Sequence, residues 1–212
     1  MQNLRGKKAK TTFVQNYENI KVLAYRVLLN GDTRKNQCGG KLTDKYYHFS
    51  ATCKKTLKTE YFFLGYDCAH QLMQMLHIPI NSIKLFNPFR QECSSAKPSN
   101  HSDANDNHMH FTALGIELFE LANLICVGLK LKNTDIIYNI EKELYENPLK
   151  DPPPINFKKL NTILIKYKNT IQNIVDDLQK NNKEFRKFDF TAARDYLKEY
   201  FKEIRCEDKI QF

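Results

Sequence analysis

The 212-residue chain has no tryptophan, no Cys-x-x-Cys pair, no glycine-rich phosphate loop, no His-Glu-x-x-His and no Gly-x-Ser-x-Gly. These absences remove the signatures of P-loop nucleotide hydrolysis, zinc proteolysis and nucleophile-elbow hydrolysis. Long apolar runs are missing too. The longest, Leu121 to Leu129, is interrupted by Asn123 and is too short to cross a bilayer. The basic start, Met1 to Lys10, is followed by no apolar segment of the secretory kind. The expectation is a soluble cytoplasmic protein with no membrane partner, whose six cysteines are free thiols or metal ligands.

What is present is positive charge, unevenly spread. Of a net +9, residues 1–60 hold 13 Lys and Arg against 4 Asp and Glu, whereas residues 108–212 hold 17 against 16. A concentrated cation favours a polyanion, whether nucleic acid (DNA or RNA), an acidic protein or an anionic membrane face; the alternative is a basic arm that serves solubility. The candidate phosphate contacts are Lys7, Lys8, Lys10, Arg34, Lys35, Lys41, Lys45, Lys54, Lys55 and Lys58, with Arg26 among them in sequence. Tyr46, Tyr47, Phe49 and Tyr61 are interleaved with these cations, and Tyr47 is the candidate for stacking an unpaired base. Strand alternation turns about half of such aromatics into a core instead. Lysine outnumbers arginine, which favours backbone contact over base readout. The front of the chain thus reads as one cationic knob.

Hydrophobic content of 42% with 12% aromatic is that of a globular chain. Residues 1–12 read as a flexible basic tail. Lys21 to Leu29 partly alternates and ends at Asn30-Gly31-Asp32, which predicts a strand. Tyr46–Thr52 and Glu60–Leu64 predict two more, and Asp67 caps a helix over Cys68–His77 that Pro79 ends. The polar stretch 87–110 reads as a linker. Four helices follow. The first runs from a Thr112 cap to about Leu131 and is apolar nearly all round. The second is capped by Thr134, with Ile137, Ile140 and Leu144 inward and Glu141 outward. The third follows Pro152-Pro153-Pro154 with the seam Phe157, Leu160, Leu164, Tyr167, Ile171, Ile174 and Leu178. The last starts at a Thr191 cap and presents Tyr196, Leu197, Tyr200, Phe201 and Ile204. The fold class is α+β. It comprises a small β-rich N-terminal module with one helix (1–86), the linker (87–110) and a four-helix C-terminal domain (111–212) suited to homo-oligomerisation or partner binding.

Cys38, His48, Cys53, Cys68 and His70, with His77 beyond them, are the candidate metal ligands. Glycines after Cys38 let backbone amides face a thiolate, and Cys68 stands at a helix start, where the dipole favours one. Cys38-Gly39-Gly40, the strand Tyr61–Gly65 and Cys68-Ala69 leading into Leu72 resemble the treble-clef-like zinc-finger modules of phage and plasmid proteins, over residues 38–77 only. The resemblance implies a structural zinc drawn from that ligand set and a place in a mobile element. The alternative makes Cys53 and Cys68 small buried hydrophobes and His48 a satisfied strand residue. A second cluster, His101, Asp103, Asp106, His108 and His110, has the donors for a divalent ion, or is a solvated linker. Cys93, Cys126 and Cys206 have no persuasive partner, and Cys126 reads as core. Three functions stay open: a non-enzymatic nucleic-acid-binding protein, an adaptor or inhibitor docking on an acidic protein, and a metal-dependent hydrolase or nuclease.

Overall fold

Alternating aromatic and β-branched residues build the first part of the molecule, and helical periodicity builds the rest. The computed structural model describes residues 1–80, 83–89, 110–131 and 135–212. It divides into two units, Met1–Asn87 and Pro88–Phe212, and most of the expected 87–110 linker lies outside the described residues.

In the first unit, β1 (Tyr17–Val27), β2 (Lys45–Cys53) and β3 (Thr59–Gly65) form an antiparallel meander. The short β4 (Leu85–Phe86) adds in parallel to β1, giving the order β3-β2-β1-β4. Period-two alternation sorts β2 into two faces. Tyr47, Phe49 and Ala51 join Phe62 and Leu64 of β3 in a core closed by Phe13, Ala69, Leu72 and Met73. Tyr46, His48 and Ser50 occupy the other face, and they too are buried. Phe13 belongs to α1 (Lys7–Asn16), and the other three closing residues to α2 (Tyr66–Met75).

The expected tail is therefore a helix. Phe13 is fully buried, stacked on Tyr17 at 4.4 Å and edge-on to Phe62 at 5.5 Å. Tertiary burial of that one ring, not helix periodicity, makes α1 form. Two details of α2 differ from expectation. Gly65 stands at its N-cap and Asp67 lies within the first turn, where its charge favours the helix dipole. Its end is set by His77 rather than Pro79. His77 adopts φ 56°, and the Ile78 N–H reaches the Met73 carbonyl at 2.9 Å, closing a Schellman motif.

Among the described residues the second unit shows five helices rather than four: α3 (Ala113–Gly128), α4 (Asp135–Glu146), α5 (Pro154–Lys166), α6 (Ile171–Asn181) and α7 (Thr191–Glu203). With the helices of the first unit, the described residues form seven. α3 is buried without a break from Leu118 to Val127 and packs against all four others. Thr112 caps it as expected, its hydroxyl accepting the Gly115 N–H at 3.1 Å. The helix expected through Phe157 to Leu178 is broken in two. Lys168 takes φ 51°, the Asn169 N–H bonds the Leu164 carbonyl, and the Thr170 hydroxyl caps α6 by accepting the Asn173 N–H. Tyr167 falls at the break and is half exposed.

Glu141 also departs from expectation. It is buried, and its carboxylate accepts from Asn123 Nδ2 at 2.6 Å. α7 is headed by Asp189, whose carboxylate takes both the N–H and the hydroxyl of Thr191. Thr134 lies outside the described residues. No helix among the described residues is long and apolar enough to cross a membrane.

Candidate nucleic-acid interface

The direction of β2 divides the cations. Its nine residues put Lys45 and Cys53 about 27 Å apart, from eight rises of roughly 3.4 Å. Beyond Cys53 lies the hairpin tip with Lys54, Lys55 and Lys58, all exposed. The Lys54 ammonium donates to the Gln15 carbonyl at 2.8 Å. At the Lys45 end lies the loop that carries Arg34, Lys35 and Lys41. The lysines thus form two basic ends rather than one knob.

The loop end is the more organised. Lys35 and Lys41 form an antiparallel bridge, with the Leu42 N–H on the Arg34 carbonyl and the Asn36 N–H on the Gly40 carbonyl. Gly39 and Gly40 close this miniature hairpin at φ 103° and 74°, angles that L side chains resist. The chain start is tied to it. The Leu4 N–H donates to the Gln37 carbonyl at 2.9 Å, and Gln37 Nε2 donates to the Gln2 carbonyl at 2.8 Å. Arg5, Lys7 and Lys8 follow at once, all exposed. α1 has Gly6 at its N-cap, with no side-chain cap and no acid in its first turn. Its positive pole therefore adds to the lysines instead of being neutralised.

Like charges directly across a ladder repel. Lys7, Lys8, Lys35 and Lys41 nevertheless take part in no ion pair among the described residues. This end is an uncompensated cation set built on a fixed turn.

Residues 2–204 match the family model described as uncharacterised conserved protein UCP028583. The chain belongs to that family. No curated protein and no solved structure matches it. The matched span of this UCP028583 member takes in both the basic loop and most of the five-helix unit.

Several of the expected phosphate contacts are withdrawn from the surface. Lys10 is buried and holds Gln71 Oε1 at 3.1 Å, so it bridges α1 to α2. Tyr47 is buried under the same helices and cannot meet a base directly. Arg34 lies over the rings of Tyr46 and Phe63 at 5.1 and 4.8 Å, and pairs with Asp32 at 3.7 Å. Lys45 is half-buried. Arg5 was not among the expected contacts. It becomes visible only through the fold, because residues 2–4 pin it beside the loop.

The candidate zinc ligands of the UCP028583 chain fall in separate places. Cys38 is buried and donates to the Leu4 carbonyl at 3.3 Å, with Cys68 beside it. Burial, then Cys68, pushes its thiol up to about 12, so it stays protonated. His48 faces away from that pair, on the other side of β2. Burial, then Arg26 and Arg34, holds its ring well below the ordinary value and therefore neutral. Cys53 stands at the strand end, where hydrogen bonds from the Thr56 hydroxyl, then from the Thr56 and Lys55 N–H groups, lower its pKa. His70 Nε2 lies 3.1 Å from the Tyr47 hydroxyl.

The fold brings Cys38 and Cys68 together and leaves the other three apart. Two thiols are half of the four donors a structural zinc requires. Among the described residues no group of three or more His, Cys, Asp or Glu is placed to hold a metal. His101, Asp103, Asp106, His108 and Cys93 lie outside the described residues, and His110 is exposed. Cys126 is buried in α3, as expected of a core thiol.

Proposed function

We propose that this is a non-enzymatic nucleic-acid-binding protein that grips phosphate through the basic end formed by Arg5, Lys7, Lys8, Lys35 and Lys41. The observation that carries the reading is the Lys35–Lys41 bridge. Two lysines are paired across a glycine turn, and Gln37 of that turn is tied to Leu4, two residues before the uncapped start of α1. A phosphodiester backbone supplies the missing negative charge at a repeat that flexible ammonium groups can follow. Lysines act as point charges, so the grip is sequence-tolerant. The five-helix unit then serves oligomerisation or a protein partner.

The test is fluorescence anisotropy of a labelled oligonucleotide with the whole chain at rising salt. Engagement of five phosphates predicts a loss of affinity on the order of a hundredfold or more between about 50 and about 200 mM salt. Binding that is absent at low salt, or indifferent to salt, contradicts the reading. Recovery of an acidic protein after nuclease treatment, with no oligonucleotide binding, would establish the adaptor instead.

A further inference from the structure

We infer that Tyr66 is a stacking platform for an unpaired base, which makes single-stranded nucleic acid the preferred ligand; this rests on the phosphate-binding reading above. Tyr66 opens α2 directly after Gly65 and is 51% exposed. Gly65 is wedged against the basic loop. A Cβ added there would lie 3.5 Å from both the Asn36 side-chain amide and the Leu42 side chain, the residues that follow Lys35 and Lys41. Tyr66 therefore follows directly on a residue in contact with the loop that carries the uncompensated cations.

The ring is also held from behind. It rests on His70, one helical turn along, with centroids 3.7 Å apart. His70 is fixed by the Tyr47 hydroxyl at 3.1 Å, and Tyr47 is stacked face to face on Tyr25 at 4.1 Å and 3°. Burial lowers the His70 pKa, so this support is uncharged at neutral pH. The Tyr66 and His70 rings are tilted by 48° and His70 meets Tyr47 edge-on; Tyr25, Tyr47 and His70 are buried or half-buried, and Tyr66 is the ring of this cluster that remains open.

A rigid aromatic face beside phosphate-gripping lysines is the arrangement by which proteins hold single strands. Little conformational entropy remains to be lost when a base lands on it. A duplex keeps its base faces stacked inside and offers Tyr66 nothing. Lys10 strengthens the coupling, because its ammonium is anchored on Gln71, the neighbour of His70, one turn along from Lys7.

The experiment compares the whole chain with Tyr66→Ala and Tyr66→Phe. The probes are a labelled oligothymidylate, an oligouridylate and a DNA duplex of equal length. Wild type should prefer the single strands, and the two single-stranded probes separate DNA from RNA. Tyr66→Ala should weaken single-strand binding roughly tenfold or more with an unchanged salt slope, and Tyr66→Phe should bind like wild type. A thermal melt matching wild type confirms that the variants fold. Equal single-strand affinity for Tyr66→Ala and wild type, or a wild-type preference for duplex, overturns the stacking role while leaving the phosphate grip standing. Failure of every probe to bind at low salt overturns the phosphate grip itself, and the stacking role with it.

Discussion

Cys38 and Cys53 show how far the environment of one atom decides its chemistry. Burial and a neighbouring thiol keep Cys38 protonated, and hydrogen bonds to the 53–56 turn favour the thiolate of Cys53. The thiolate is the nucleophile. Iodoacetamide at neutral pH should therefore alkylate Cys53 well before Cys38 in the folded chain, as peptide mass spectrometry of timed samples would show; equal rates would contradict the placement.

His48 carries a pH prediction. Its folded pKa lies well below its ordinary 6.5, so the unfolded chain takes up a proton that the folded chain refuses. That contribution is complete above the unfolded value and is lost as pH falls below it. The urea midpoint should fall between about pH 7 and about pH 5 in wild type. His48→Phe should flatten that part of the profile, and an unchanged slope would place the acid sensitivity elsewhere.

Helix packing sets the next scale. α3 meets α6 at Gly128, where an added Cβ would come within 2.2 Å of Ile174 Cγ2 and 3.2 Å of Ile174 Cβ. Ile174 is buried, and its branch point cannot swing clear. Gly128→Ala should therefore destabilise by about 1–3 kcal/mol despite alanine's better helix propensity. Differential scanning calorimetry would register a lowered melting temperature, and a raised one would refute the close approach.

Elements that rest on dense local pattern were legible in the sequence. Alternation in Tyr46–Thr52 and Glu60–Leu64 places β2 and β3 to within a residue or two, and the unbroken apolar run of α3 places that helix at the centre of its unit. α1 was not legible, because a single buried phenylalanine among lysines and threonines gives no period. The α5–α6 break was hidden differently. The turn at Lys168 occupies just the residues that keep the 3-4 spacing in step, and Asn169-Thr170 was the capping signal that announced it. Glu141 reads as surface because charge predicts exposure, and a buried amide opposite it is a tertiary fact. At the candidate site the cations were legible as a composition. Their division between two ends was not, since it depends on which way β2 runs.

For the whole molecule, that division is the decisive feature. Lys54, Lys55 and Lys58 sit on a hairpin tip where Lys54 is already bonded to the Gln15 carbonyl. Lys35 and Lys41 sit on one glycine turn, and Arg5, Lys7 and Lys8 follow the Leu4 backbone that is tied to that turn at Gln37. Both sets contribute to the +9 net charge, so non-specific attraction to a polyanion would lose from either about equally. A built phosphate grip would not.

The measurement is oligonucleotide affinity at fixed low salt for Lys35→Gln/Lys41→Gln against Lys54→Gln/Lys55→Gln, two variants of equal net charge. The first pair should lose most of the binding and flatten the salt slope by about two phosphate contacts, while the second stays close to wild type. Equal losses from both pairs, or the larger loss from the hairpin tip, would contradict the built phosphate grip.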